Sequence, residues 1–288
     1  MKKKTKWIFI IVIGAIGIIW VSQAIRTSLT PAIGLIEIEG AITSAMPYLE
    51  AINEFEADDE IKGVVVRLDS PGGRVGPSQE IFDAIKRLGE KKPVVASMAS
   101  IGASGAYYIA CGADKIYALP GTITGSIGVI LEFVDISEGL GRLGVKAESI
   151  TGGELKDAGS PFRHMSEEER AYFKALSSDV HEQFIGAVLE SRGLDDKRIR
   201  PFCDGRVLTG RQAFELGLID KIGGFNAAVE DIKASSGIVG KPRIIRPKSE
   251  DGIWKDVNRL IGSCLPSSLR SGRGLIPGKW VRLEYSIQ

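Results

Sequence analysis

A serine in a run of small residues is the first candidate for chemistry in this sequence. Ser104 lies between Ala103 and Gly105, after a run typical of a buried strand and before one typical of a helix. A hydroxyl at such a turn can face a cleft, and glycine lets backbone N–H groups approach a developing negative charge. The same pattern suits a serine that caps a helix. Ser104 is therefore a candidate nucleophile, with helix capping as the structural alternative.

A second small-residue turn, Ser70-Pro71-Gly72-Gly73, follows the preceding strand. Proline fixes one bend, and two glycines permit conformations that expose backbone N–H groups. If the N–H groups of Gly73 and Gly105 converge, they form an oxyanion hole, which contributes about 3 kcal/mol or more per donor to a transition state. A plain tight turn is the alternative explanation of this motif alone.

The base that would activate such a serine is a lysine or a histidine. Lys156 follows Gly152 in a glycine-rich stretch. A lysine must be neutral to accept a proton, and a drop of about three units in its pKa costs roughly 4 kcal/mol. Asp157 would oppose that change if it faced the amine, so we expect it to point away. The chain has two histidines, His164 and His181, and a Ser–His–Asp triad stays open.

The N-terminal residues combine a basic start with an apolar run. Residues 1–26 carry five basic and no acidic residues, and residues 7–25 are uncharged. A helix of that length spans roughly 28 Å, close to a bilayer core. We therefore expect residues 1–6 in the cytoplasm, a single-pass anchor over 7–25 in the cytoplasmic membrane and an extracytoplasmic body. A cleaved signal peptide is the alternative, although the apolar run exceeds the usual length.

Charge and cysteine content exclude several classes of protein. The 288 residues carry a net charge of +1, and residues 241–288 hold ten basic and four acidic residues. The body between the two basic ends is therefore acidic, and nothing in it resembles a nucleic-acid footprint. The three cysteines are isolated and show no CxxC spacing, which suggests neither a zinc site nor a disulfide framework. We expect no metal, no cofactor and no nucleic-acid partner.

Short apolar runs alternate with amphipathic segments through the body, which predicts an α/β fold with a largely parallel sheet covered on both faces. Ser166 and Glu169 form a predicted capping box that starts a helix ending at Gly193, and Thr209 starts another that ends at Gly217. We assign a catalytic domain to 27–240 and a basic tail, which docks on it, to 241–288. Strands are predicted over 33–42, 63–68, 93–96, 115–118 and 127–131, and helices over 47–57, 78–88, 104–111 and 166–191.

The order and spacing of these motifs resemble the short form of the bacterial signal peptide peptidases of the Ser–Lys type, the SppA family. The resemblance covers roughly residues 34–235. Ala106 departs from it, because many relatives have a second glycine there; alanine suits a helix, so we expect no loss of activity. The matching motifs are residues 69–73, 103–108, 124–128, 153–157 and 204–211.

The resemblance implies a serine endopeptidase with Ser104 as nucleophile, Lys156 as general base and the N–H groups of Gly73 and Gly105 at the oxyanion. It implies repeated β-β-α units like those of crotonases and the proteolytic subunit of Clp. It also implies a homo-oligomeric ring, such as an octamer, in which neighbouring subunits can share a site. Its substrates would be hydrophobic membrane-derived peptides such as remnant signal peptides. A crotonase-like acyl-CoA enzyme and a catalytically silent membrane scaffold are the alternatives.

Overall fold

The computed structural model describes residues 31–247 in full and the backbone of residues 282–286. The predicted anchor over residues 7–25 and most of the tail lie outside the described residues. Across 31–247 and 282–286, no helix combines the length and the apolar character needed to cross a membrane.

Eleven strands and eight α-helices make up the described part of the chain. The strands are β1 (Ala32–Glu39), β2 (Ile61–Ser70), β3 (Gly72–Arg74), β4 (Val94–Ala103), β5 (Lys115–Ala118), β6 (Ile123–Gly125), β7 (Ile130–Glu132), β8 (Val207–Thr209), β9 (Lys221–Ile222), β10 (Arg243–Ile245) and β11 (Arg282–Ser286). The helices are α1 (Met46–Ala57), α2 (Val75–Gly89), α3 (Gly105–Ala110), α4 (Ser137–Arg142), α5 (Glu167–Arg192), α6 (Asp196–Ile199), α7 (Gly210–Leu216) and α8 (Phe225–Ser235).

The main sheet has the order β10-β1-β2-β4-β5-β9, and each neighbouring pair in it is parallel. The far end of β4 also pairs in parallel with β6, which in turn pairs antiparallel with β8. The predicted α/β fold with a largely parallel sheet is therefore confirmed.

Helices cover both faces of this sheet because its central strands are apolar on both sides. Val64 and Val66 of β2 join the larger core with residues of α1, α2, α3 and α5. Val65 points to the opposite face and packs in a smaller core with Ala228 and Ile232 of α8. Burial of each such side chain stabilises the fold by about 1.5–3 kcal/mol. The carboxyl ends of β2 and β4, which carry the two small-residue turns, are thereby held side by side.

The predicted helix boundaries at α5 and α7 are confirmed. The Ser166 hydroxyl accepts from the Glu169 N–H at 3.1 Å, and α5 ends at Gly193 in the left-handed conformation. At α7, the Thr209 hydroxyl accepts from the Gln212 N–H, and the helix ends at Gly217 in the left-handed conformation.

Three strand predictions are wrong in extent, and several elements were not predicted. The strand predicted over 33–42 is β1, which ends at Glu39. Strand β4 runs seven residues beyond the predicted 93–96, because small residues there pair first with β2 and then with β6. The strand predicted over 127–131 is β7, at Ile130–Glu132. The sequence predictions did not include β6, α8 or β10.

A second, three-stranded sheet has β11 between β3 and β7, antiparallel to both. Tyr285 lies opposite Gly73, and Leu283 lies opposite Leu131. In addition, β10 pairs with β1 at the edge of the main sheet. Two short segments of the basic tail thus lie against the body, one of them beside the glycine turn that follows β2.

Candidate active site

Ser104 occupies the turn between β4 and α3 in a conformation that is unusual for a residue with a side chain. Its φ is 55° and its ψ is −120°, outside the regions favoured by non-glycine residues. The turn is fixed on both sides, because the Ser104 N–H donates to the Gly125 carbonyl at 2.8 Å and its own carbonyl accepts from the Tyr108 N–H at 2.9 Å. A strained strand–serine–helix turn of this kind is the geometry of a nucleophile elbow.

The structure does not support helix capping as the reason for this serine. Ser104 is the N-cap residue of α3, yet its side chain makes no capping hydrogen bond, whereas the side chains of Ser166 and Thr209 do. Its hydroxyl is completely buried and has no hydrogen-bond partner among the described residues, where the sequence suggested a hydroxyl facing a cleft. Leaving a buried hydroxyl without a partner lowers the stability of a fold by about 1–3 kcal/mol. The Ser104 hydroxyl therefore does not serve to stabilise this fold.

Gly73 lies where no side chain fits. A Cβ built there would lie 2.2 Å from the carbonyl oxygen of Ile42. The neighbouring groups bind Ile42 directly, since the Gly72 carbonyl accepts its N–H at 2.9 Å and the Arg74 N–H donates to its carbonyl at 2.8 Å. Successive residues of a strand direct their N–H groups to opposite sides. The Gly73 N–H therefore faces away from Ile42, towards β11 and Tyr285.

The oxyanion hole formed by Gly73 and Gly105 stays a prediction. Helix α3, which begins at Gly105, contacts both β3 and β11. The first N–H groups of a helix have no intrahelical acceptor. Gly73 and Gly105 thus lie on two elements that contact each other, and each has a backbone N–H group that could donate to an oxyanion.

Lys156 lies on an exposed arm, residues 136–161, whose ends are held together. The Ile136 N–H donates to the Pro161 carbonyl at 2.8 Å, and every residue from 141 to 156 is exposed. Neither Lys156 Nζ nor Ser104 Oγ makes a hydrogen bond with any residue of the described chain. The structure therefore does not bring the two side chains together within one subunit, and their pairing stays a prediction.

Asp157 is directed to another partner, as the sequence analysis expected. Its carboxylate accepts from Arg163 Nη2 at 2.8 Å and from Arg163 Nε at 3.2 Å. These hydrogen bonds lower the pKa of Asp157.

The two histidines have partners of their own. His164 Nδ1 lies 2.6 Å from Asp135 Oδ2 at the foot of the arm, and His181 Nε2 lies 3.1 Å from the carbonyl oxygen of Ile127. Hydrogen bonds from Ser137, and then from His164, hold the pKa of Asp135 at about 2. Neither histidine contacts the Ser104 hydroxyl, so the structure does not bring a Ser–His pair together within one subunit.

Ser126 is a feature of the site to which the sequence analysis gave no role. It follows the carbonyl that binds Ser104, is almost fully buried and has a φ of 51°. It also lines a cavity of about 300 Å³ together with His181 and Gly205. The motif at 124–128 marked the place, but a positive φ at a serine cannot be read from residue type.

Among residues 31–247, no cluster of His, Cys, Asp and Glu could hold a metal ion.

A strained, buried serine at a strand–helix turn, on a largely parallel α/β sheet, is typical of serine hydrolases, and the sheet is like that of Clp proteases. The sequence profile described as Peptidase family S49 matches residues 86–238, and the Clp protease profile matches residues 35–124. The chain belongs to peptidase family S49 and is a serine-type peptidase.

Curated relatives agree with this assignment. A Synechocystis sp. protein named as a protease is 43% identical over 200 residues, 69% of this chain and 72% of that protein. An Enterococcus faecium protein named as signal peptide peptidase SppA is 35% identical over 187 residues, 65% of this chain and 54% of that protein. The chloroplastic serine protease SPPA of Arabidopsis thaliana is 32% identical over 249 residues, 84% of this chain and 36% of that protein. The chain thus spans about half of the second relative and about a third of the third.

Proposed function

We propose that this chain is a membrane-anchored serine endopeptidase in which Ser104 is the nucleophile and Lys156 the general base. The conformation of Ser104 carries the proposal. Its positive φ and its buried hydroxyl without a partner together lower the stability of the fold by several kcal/mol. A residue with only a structural role would not be expected to carry such a cost. Such strain accumulates where a side chain is positioned for chemistry.

The mechanism is acyl transfer in two halves. The neutral Lys156 amine takes the hydroxyl proton as Ser104 Oγ attacks the peptide carbonyl carbon, and the N–H groups of Gly73 and Gly105 stabilise the oxyanion. Lys156 then passes the proton to the leaving amine as the C–N bond breaks, which leaves an ester on Ser104. The same amine deprotonates a water, which hydrolyses the ester and restores the serine.

We further propose that the lysine comes from a neighbouring copy of the chain in a homo-oligomeric ring such as an octamer. The arm that carries Lys156 exposes large apolar side chains, with Leu143 78% and Ile150 96% accessible. An ordered segment with exposed apolar side chains is typical of an interaction surface. A neighbouring copy would cover this arm and receive its lysine.

The substrates we propose are hydrophobic peptides released from the membrane, including remnant signal peptides. Two features support this choice: the uncharged stretch at 7–25 after a basic start, which would hold the extracytoplasmic body at the bilayer, and the name of the Enterococcus faecium relative. Between β3 and β7, the backbone of β11 shows that an antiparallel strand fits beside Gly73. An extended peptide can use the same backbone hydrogen bonds.

The test is cleavage of a quenched hydrophobic peptide by the full chain in detergent micelles. We expect Ser104→Ala and Lys156→Ala each to abolish turnover. Co-expression of the two variants should restore about a quarter of the parent activity, because one interface in four then pairs an intact serine with an intact lysine. Turnover by Lys156→Ala would overturn the dyad, and no recovery in the mixed assembly would place both groups in one subunit.

A fully assembled parent that cleaves no peptide and reacts with no serine-directed reagent would instead favour the silent scaffold. The acyl-CoA alternative would require binding of coenzyme A by the assembled protein.

A further inference from the structure

A cluster of three charged side chains ties the Lys156 arm to the start of α5. Arg163 binds Asp157, the residue that follows Lys156, through the two hydrogen bonds described above, and it also donates to the Asp157 carbonyl at 3.3 Å. The same guanidinium also binds Glu169, with Nη1 2.9 Å from Oε2 and a second, shorter bond from Nη2, the nitrogen shared with Asp157, to Oε1. The Arg163 guanidinium therefore connects the arm that carries Lys156 to α5.

Glu169 provides a rigid anchor for this cluster. Its side chain is 5% exposed, and Oε2 also accepts from the Ser166 N–H at 2.9 Å as part of the capping box. The Arg163 guanidinium and this N–H hold the pKa of Glu169 at about 2. Because α5 packs into the main core through Phe184 and Val188, the arginine joins the arm to a helix that is anchored in the core.

Asp157 follows Lys156 in the chain and carries a charge that would disturb a lysine base. A carboxylate within about 4–6 Å of an amine favours the ammonium form, and an ammonium cannot take a proton from serine. The bidentate pair with Arg163 directs the carboxylate to a guanidinium and offsets its charge. Other charged groups nearby are Glu154 on the arm, the pair Asp135 and His164, and Arg170 and Lys174, the last four lining a cavity of about 740 Å³ with Arg163.

We propose that Arg163 is a positioning residue that keeps the Asp157 carboxylate away from Lys156 and fixes the loop carrying this base to the first turn of α5. This inference rests on the proposed role of Lys156 as general base. Arg163 itself need not touch the substrate or Ser104. Its effect on the reaction is electrostatic and depends on pH, which separates it from a residue that only supports the fold.

The experiment is the pH dependence of kcat on the quenched peptide, with the full chain assembled in micelles. Arg163→Gln leaves two uncompensated carboxylates at the foot of the arm, so we expect the midpoint of the rising limb to move up by about one pH unit and activity at pH 7 to fall about tenfold. The plateau at high pH should stay within about twofold of the parent. Asp157→Asn removes one carboxylate and should move the midpoint in the opposite direction.

The double variant, Arg163→Gln with Asp157→Asn, should return the midpoint close to that of the parent. Arg170→Gln is the matched control, because it removes an exposed arginine of the same cavity that pairs only loosely with Glu167, at 3.7 Å. We expect its pH profile to match the parent. Thermal unfolding of each variant shows whether it is folded at the assay temperature.

Equal loss of activity at every pH in Arg163→Gln, without a shift of the midpoint, would overturn the inference. If Arg163→Gln is unfolded, Asp157→Asn decides alone, and a midpoint at or above that of the parent overturns it. Failure of the dyad itself would appear separately, as turnover by Lys156→Ala. A dead Lys156→Ala with an unshifted Arg163→Gln would remove only the role of Arg163.

Discussion

The backbone N–H of Ser104 donates to the carbonyl oxygen of Gly125 over 2.8 Å, and this bond ties the strained serine to strand β6. Strand β6 pairs with the end of β4, and its other neighbour, β8, leads into the capping box of α7. The conformation of Ser104 is thus held by the pairing of β6 with the end of β4, and not by a hydrogen bond of its own side chain. Loss of the hydroxyl should therefore leave the turn in place.

Substitutions of Ser104 should separate strain from chemistry. Ser104→Ala keeps the positive φ at a residue with a Cβ, and we expect it to lose labelling by a fluorophosphonate and to lower kcat by at least about 10³-fold. Ser104→Gly should be equally inactive but more stable than Ser104→Ala by about 1 kcal/mol, because glycine adopts φ near 55° without strain. Urea unfolding measures the difference. A glycine variant less stable than the alanine variant would contradict a strained elbow.

Gly73→Ala should damage both the fold and the site. The new Cβ would lie 2.2 Å from the Ile42 carbonyl oxygen, so β3 must move away from Ile42, at a cost of about 2 kcal/mol or more. We expect a lower Tm and loss of peptide cleavage. Gly76→Ala is the matched control, since no atom lies within 4 Å of its Cβ and alanine favours the helix by about 0.5–1 kcal/mol. A Gly73→Ala variant as stable as Gly76→Ala would show that β3 can move away from Ile42 at little cost in free energy.

The contribution of Glu169 to stability should disappear in acid. The pKa of Glu169 in the folded state, about 2, lies below the ordinary value of 4.5. Folding therefore stabilises the charged carboxylate over the protonated acid. Glu169→Gln should lower the free energy of unfolding by about 1–2 kcal/mol at pH 7. The gap to the parent should narrow as the pH falls below 4.5 and close near pH 2.

Glu168→Gln provides the comparison for this effect, because Glu168 lies on the same turn of α5 but is exposed. We expect it to follow the parent within about 0.5 kcal/mol at each pH. A gap between Glu169→Gln and the parent that stays constant from pH 7 to pH 2.5 would mean that the carboxylate is not the source of the stability.

Deletion of residues 282–288 from the full chain should expose the facing edges of β3 and β7. Because the Gly73 N–H faces Tyr285, its hydrogen exchange should become about tenfold faster or more. The Arg74 N–H binds Ile42 instead and serves as the internal control with an unchanged rate. Equal rates at Gly73 with and without the deletion would place the tail elsewhere in solution.

Local sequence signals predicted the parts of this fold that local chemistry determines. Ser166 with Glu169, and Gly193 after them, fixed the ends of α5 because capping depends on residues three or four positions apart. The extension of β4 through residues 97–103 escaped prediction, since small residues carry no strand signal and become a strand only through pairing with β2 and β6. The relation between Arg163 and Glu169 was equally hidden, because an ion pair between a loop and a helix leaves no periodic pattern.

The sequence named candidate site residues, whose roles stay predictions, but it did not predict the geometry around them. Residue types and motif order pointed to Ser104 and Lys156, and the expected direction of Asp157 agrees with its pairing to Arg163. Nothing in the sequence indicated that the serine would be buried, or that Ser126 would share its positive φ. Backbone torsions at non-glycine residues depend on tertiary contacts, which a single sequence does not display.

Lys156 lies on an arm on which every residue from 141 to 156 is exposed, while the Ser104 turn belongs to the packed sheet. On the proposed shared site, a newly made chain would complete its core and the Ser104 turn before it could cleave a peptide. Proteolysis would then begin only when copies of the chain meet, so a high local concentration of the enzyme would start it. The dependence of rate on concentration would then be steeper than first order.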